Sequence, residues 1–271
     1  MTRTMPSESQ PASSQVSDAD IAEAVRALYT DGVVGRKGAF SREFVQALGE
    51  DVMAAFAEAR SRPHGAVGRG PNRWYVEIHP QALRGFVELA SHPWVQAVSE
   101  AVLGPDYRIV EVGFDIPFPG AMNQPWHRDF PSPPETRDER RLTSLAFNVT
   151  TVDTAEDMGP FEIALGTQFD DSPDFEHGMF PPKSYYPRYE ERAVRKYPQV
   201  GDISARSALH ALLTFTALLF CAQVYAQTNA IQSVNVSAQS GGRVLVRVTM
   251  KDPPANPPAA PDPGSPVTST P

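Results

Sequence analysis

Ser, Thr, Gln and Pro dominate the first seventeen positions, and a regular apolar pattern begins only at Ile21. From there Ile21, Val25, Leu28 and Tyr29 fall on one helical face, and Ser17-Asp18-Ala19-Asp20 offers capping oxygens just before them. Ser41 caps a second expected helix, with Phe44, Leu48, Val52, Met53 and Phe56 on its apolar side. A third is expected near 83–102, closed by Gly104-Pro105. The period then changes. Residues 107–116 alternate and are rich in β-branched side chains, which predicts a strand. Residues 142–152 predict another, and Phe161–Ala164 a short one. Pro and Gly mark turns at 117–120, 159–160 and 201–202. Helices first and short strands afterwards imply an α+β fold, a helical layer against an antiparallel sheet or barrel.

The pattern changes again near the end. Residues 211–222 form an unbroken block without charge, too short for a membrane span of about 20 residues. Its length suits the core of a signal peptide, and Val224-Tyr-Ala226 partly fits a small-x-small cleavage rule. The same block also suits a buried strand. Residues 231–236 and 244–250 alternate around Ser240-Gly-Gly and predict a hairpin. A Pro-rich tail over 253–271 is expected to be disordered.

Composition sharpens this seam. The net charge is −8, which argues against a nucleic-acid partner, because phosphate binding needs a cationic face. Yet residues 207–271 carry only Arg243, Arg247, Lys251, Asp252 and Asp262, so the charge belongs to the first part. Eight of the 27 prolines lie in the last nineteen residues. The lone Cys221 excludes a disulfide framework and a thiolate zinc site. The N-terminus lacks an apolar secretory core, so a cytoplasmic location is expected. The division expected is a disordered arm over 1–17, a main domain over 18–207, the apolar segment 208–226, the hairpin 227–252 and the tail.

One segment carries candidate chemistry. Gln124-Pro-Trp-His-Arg-Asp-Phe130 contains His127 and Asp129 two residues apart. On a strand these project from one face, presenting an imidazole and a carboxylate to one point. A second histidine from a distant strand would complete the 2-His-1-carboxylate set that suits non-haem iron. A surface His–Asp pair at a strand end has the same text. His64, His79 and His92 sit in loop-like text and read as surface histidines, and His177 lies on a Pro-rich loop.

Wider context favours the metal. The chain resembles the phytanoyl-CoA dioxygenase family over about 29–207. Its matching features are Asp31-Gly-Val-Val34, Arg69-Gly-Pro-Asn-Arg-Trp-Tyr75, Leu103-Gly-Pro105, the Trp126-His-Arg-Asp129 core, Gly159-Pro-Phe-Glu-Ile163 and Gly201-Asp-Ile-Ser-Ala-Arg206. That resemblance implies a double-stranded β-helix (jelly roll) behind N-terminal helices. It implies iron(II) on His127 and Asp129, with 2-oxoglutarate and O2 as co-substrates and a small-molecule substrate. Decarboxylation to succinate would be coupled to attack on a nearby C–H bond. Asn72 or Arg73 would help hold the co-substrate, and Trp126 would wall the site.

The family pattern continues into Thr-(Ile/Val)-His-Arg-Gly, but here the text is Ser207-Ala-Leu-His-Ala-Leu-Leu. His210 is the candidate third ligand, two residues early, which moves a side chain about 6.5–7 Å along a strand. No Arg or Lys follows before Arg243, so the expected carboxylate clamp is missing. Residues 211–258 resemble the start of a type IV pilus secretin precursor. The expectation is therefore a C-terminally truncated oxygenase fold joined to a foreign apolar segment and a β-hairpin. Its function is either a 2-oxoglutarate-dependent hydroxylase or an impaired jelly-roll remnant that only binds.

Overall fold

The computed structural model describes residues 16–77, 83–129, 136, 138–170, 179–209, 211–213, 219–225, 231–239 and 243–250. His79, His177, His210 and the tail lie outside that set. Two units divide the chain, Met1–Ala226 and Gln227–Pro271.

The helical layer forms largely where the apolar spacing predicts. Helix α1 spans Asp18–Thr30, and Ser17 and Asp20 cap it reciprocally. Its buried residues are Ala24 and Leu28. Helix α2 spans Arg42–Ser61 behind the Ser41 cap and buries Val45, Leu48, Val52, Phe56 and Ala59. Met53, expected on the apolar side, is exposed, and Val45 takes a core place instead. The third expected helix is two, α3 at Phe86–Ala90 and α4 at Pro93–Leu103. Pro93 cannot donate a helical hydrogen bond, so it starts a helix rather than continuing one. His92 is half-buried at this break rather than a surface group. Its Nδ1 accepts from the Trp94 amide at 3.2 Å, and its Nε2 faces the Ala39 carbonyl at 3.1 Å.

Among the described residues, ten strands of the first unit form two antiparallel sheets. They are β1 (Val33–Arg36), β2 (Val67–Gly68), β3 (Arg73–Glu77), β4 (Arg108–Pro117), β5 (Ser144–Thr150), β6 (Phe161–Ala164), β7 (Ala193–Lys196), β8 (Ile203–Ser207), β9 (Leu212–Leu213) and β10 (Leu219–Tyr225). A short helix, α5 (Tyr186–Glu190), precedes β7. The large sheet has the order β1-β8-β5-β10-β4-β3-β2, and the small one β7-β6-β9. Strand β10 comes from the apolar block. Its Leu219–Tyr225 register runs along Thr150 to Ser144 of β5 on one side and Asp115 to Arg108 of β4 on the other. A signal-peptide core and a central strand demand the same apolar text; of that block, Leu219–Ala222 lie in β10 and Leu212–Leu213 in β9.

The large sheet sorts its side chains by face. Val112, Phe114, Ile116, Leu145, Phe147, Val149, Ile203 and Ala205 share one core with the helices. The opposite face carries Asp115, Ser144, Asn148 and Arg206, all buried. On that side lie Phe161 and Ile163 of the small sheet, packed with Val33 of β1. A polar interior between two sheets results.

The Gly201-Asp202 turn clamps the layers. Gly201 has φ +100, and a Cβ there would stand 2.4 Å from the Phe40 carbonyl oxygen. Asp202 accepts from the amides of Gly38 at 2.9 Å and Gln199 at 3.0 Å. The second unit contains β11 (Ile231–Gln239) and β12 (Arg243–Met250), paired from Gln239↔Arg243 to Ile231↔Met250 as the alternation predicts.

Candidate active site

His127 is held by its neighbours in a state suited to a metal. Its Nδ1 lies 2.8 Å from the Pro125 carbonyl oxygen. A carbonyl only accepts, so Nδ1 carries the hydrogen and Nε2 keeps a free lone pair. Burial pushes the imidazole below its ordinary titration range. Asp129 and the Pro125 carbonyl oppose that shift, and the Arg206 and Arg69 charges add to it. The ring is therefore neutral at neutral pH, as a ligand must be. Phe180 lies against it with ring centres 5.9 Å apart.

Asp129 is placed by the backbone, its amide donating to the Ala208 carbonyl just beyond β8 at 3.1 Å. The Arg128 amide donates to Met179 at 2.8 Å, and its guanidinium reaches the Asp170 carbonyl at 3.0 Å. Arg128 thus points away as a brace while its two neighbours converge. His127 Nε2 and Asp129 Oδ1 stand 4.0 Å apart. First-row metals bind such atoms at about 2.0–2.2 Å, so one ion can be shared between them. The donor set, a neutral imidazole and a carboxylate inside a buried polar lining, fits iron(II). Among the described residues no group of three or more His, Cys, Asp or Glu side chains gathers, and the expected third ligand, His210, lies outside them.

The other expected residues fall in separate places. Arg73 is fully buried on β3, and its Nε donates to Asp115 of β4 at 2.8 Å. Asn72 donates to the Pro119 carbonyl at 3.0 Å and holds φ +53 in the turn before β3. Trp126 packs against Tyr189, Ala164 and Ala211 with a ring distance of 5.5 Å to Tyr189. A cavity of 530 Å³ lined by Phe118, Met158, Glu162 and Arg195, among others, is not lined by His127 or Asp129.

Two further groups stand near the pair. Arg206 Nη2 reaches Asp129 Oδ2 at 2.6 Å. Arg69, over the Tyr75 ring at 3.9 Å, is close enough to depress the His127 titration. Arg206 had a local signal, a charged residue at an inward position of a strand whose Ile203 and Ala205 face the core. Phe180 had none.

Fold and donor pair together define a class, the jelly-roll oxygenases that use non-haem iron and 2-oxoglutarate. The family model described as Phytanoyl-CoA dioxygenase (PhyH) matches residues 28–203, and the chain belongs to that family. Solved structures share the fold at low identity. The non-haem α-ketoglutarate-dependent carbocyclase SnoK from nogalamycin biosynthesis aligns at TM-score 0.61 and 18% identity, covering 82% of this chain and 88% of its own. The epimerase SnoN, solved with Fe3+, α-ketoglutarate and nogalamycin RO, aligns at 0.58 and 19%, covering 78% and 85%. EctD from S. alaskensis, solved with 2-oxoglutarate and 5-hydroxyectoine, aligns at 0.60 and 18%, covering 76% of each chain. Among curated proteins no match is found. Among the described residues no helix is long and apolar enough to cross a membrane.

Proposed function

We propose that this chain is an Fe(II)- and 2-oxoglutarate-dependent dioxygenase that hydroxylates a small organic or acyl-type substrate. In this reading His127 and Asp129 hold the iron, and His210 supplies the third ligand. The observation that carries it is the convergence of buried His127 Nε2 and part-buried Asp129 Oδ1, 4.0 Å apart, with the other imidazole nitrogen already bonded to Pro125. Iron bound there supplies the oxygen chemistry that oxidises co-substrate and substrate together. The protein's own part is to fix the imidazole tautomer, aim the carboxylate and exclude water. Trp126, packed with Tyr189, Ala164 and Ala211, would wall the site beside His127. Arg73 and Asn72, as co-substrate contacts, would act from the start of β3, with Arg73 already matched by Asp115.

Succinate release from 2-oxoglutarate, measured with Fe(II) for the full chain and for His127→Ala, tests the reading. We expect turnover in the first and loss of about 100-fold or more in the second. Equal rates overturn it.

A second reading has its own support. No Arg or Lys lies between Arg206 and Arg243, where the family's co-substrate clamp is expected. A remnant jelly roll that binds without turnover would show weak iron binding and no decarboxylation.

A further inference from the structure

Among the described residues, Arg206 is a buried charge that is unevenly satisfied. It is 5% exposed, on the inward face of β8. One nitrogen, Nη2, lies 2.6 Å from Asp129 Oδ2, yet that oxygen has no aligned hydrogen bond. The other two guanidinium nitrogens, Nε and Nη1, are buried with no partner among the described residues. The Phe161 ring lies 5.9 Å from the guanidinium carbon. Ser144 Oγ, on the neighbouring strand of the same face, is also buried and unpaired. Unpaired donors of a buried guanidinium are costly, so a native structure that keeps them usually meets them with a ligand.

Charge balance says which kind. Arg73 is matched by Asp115, and Arg206 by Asp129. Half-buried Glu111 is engaged by the Tyr75 hydroxyl, and Glu162 by Arg195. A divalent cation on Asp129 therefore adds two uncompensated positive charges to a low-dielectric interior. Arg69 also directs its charge at His127, so a dicarboxylate offsets more of this excess than a monocarboxylate does. The sequence removes the usual alternative, since no basic residue follows Arg206 before Arg243.

We infer that Arg206 is the carboxylate-binding residue of this site, anchoring a dicarboxylate 2-oxo acid through the guanidinium N–H groups that Asp129 leaves free. The inference rests on the iron and 2-oxoglutarate reading above and adds the residue that selects the co-substrate. Arg206 bridges two jobs: it steadies the Asp129 carboxylate, and it offers charge-assisted donors to the incoming anion.

The test is calorimetric titration of the full chain with Ni(II), a redox-inert stand-in for iron. It is followed by titration with 2-oxoglutarate or with 2-oxobutyrate, which keeps the 2-oxo acid head but lacks the second carboxylate. The wild-type chain is expected to bind Ni(II), then 2-oxoglutarate in clear preference to 2-oxobutyrate. Arg206→Gln should still bind Ni(II), lose about tenfold or more in 2-oxoglutarate affinity measured on the Ni(II)-loaded chain, and lose the preference. Arg206→Lys keeps the charge but not the fork, and should lose about threefold or more; it decides the matter if the glutamine variant does not fold. Undiminished 2-oxoglutarate affinity and preference in either variant overturns the assignment and leaves the iron site standing. A wild-type chain that binds neither Ni(II) nor 2-oxoglutarate overturns the underlying reading instead.

Discussion

The two faces of the seven-stranded sheet are built from the same strands and do opposite work. In β5, Ser144–Thr150, the alternation sends Leu145, Phe147 and Val149 to the helices. It sends Ser144, Asn148 and Thr150 to the interior. The helix side is closed and apolar, with Trp94 edge-on to Phe147 at 6.1 Å. The inner side holds two arginine–aspartate pairs that differ in turn. Arg73 and Asp115 lock β3 to β4, with the Arg73 Nε donating in line. Arg206 and Asp129 touch without aligning, and they stand beside His127. The helix face and the locked Arg73–Asp115 pair stabilise the fold. The inner face beside His127 keeps polar groups incompletely satisfied, as sites that must accept a ligand do.

Removing one half of the locked pair should have the largest effect. Asp115→Asn leaves the Arg73 charge buried without its counter-charge, and a loss of about 3–5 kcal/mol is expected in urea unfolding. A loss under about 1 kcal/mol would put this pair on a par with a surface bridge and erase the contrast. On the helix side, Leu145→Ala should cost about 2–5 kcal/mol by the same assay, since Leu145 is fully buried. At the edge of the helical layer, Ser17→Ala removes one half of the reciprocal cap of α1 and should cost about 1 kcal/mol, read as a drop in Tm.

The smallest effect is a pH-dependent one. Asp153 follows β5 and ties Arg42, the first residue of α2, to the Val200 amide. The Arg42 hydrogen bond, then the Val200 amide, hold its carboxyl down to about 2 against an ordinary 3.8. A folded value below the unfolded one stabilises the fold above pH 3.8, and that contribution fades as the pH falls through about 2. The Tm gap between the native chain and Asp153→Asn should therefore be steady near neutrality and close between about pH 4 and pH 2. A gap that persists at pH 2 would assign the effect to packing.

Much of the helix side was legible because it obeys local rules. Ser17 and Ser41 announce their helices, and the alternation of 144–150 announces a strand with one apolar face. The split at Pro93 was also written in the sequence, but the apolar spacing on either side masked it. The exposure of Met53 was not, since Val45 and Met53 are both apolar and only tertiary packing chooses between them. The inner face was legible in part. His127 and Asp129 follow from an i, i+2 spacing, a local feature. The meeting of Arg206 with Asp129 joins residues far apart in sequence, and no periodicity encodes it. Arg73 sits in the expected motif, but its Asp115 partner lies 42 positions on and is equally silent in the text. The block at 211–222 shows a different limit. Its apolar run is compatible with a signal-peptide core and with a strand, and for Leu219–Ala222 the neighbours β4 and β5 decide.

The central claim is that His127 and Asp129 share an iron ion. Anomalous diffraction at the iron edge, from crystals of the full chain grown with Fe(II) without oxygen, tests it most directly. The account predicts one strong peak per chain within bonding distance of His127 Nε2 and Asp129 Oδ1, and the same map shows whether His210 is the third ligand. No peak at that pair, or a peak held elsewhere, contradicts it.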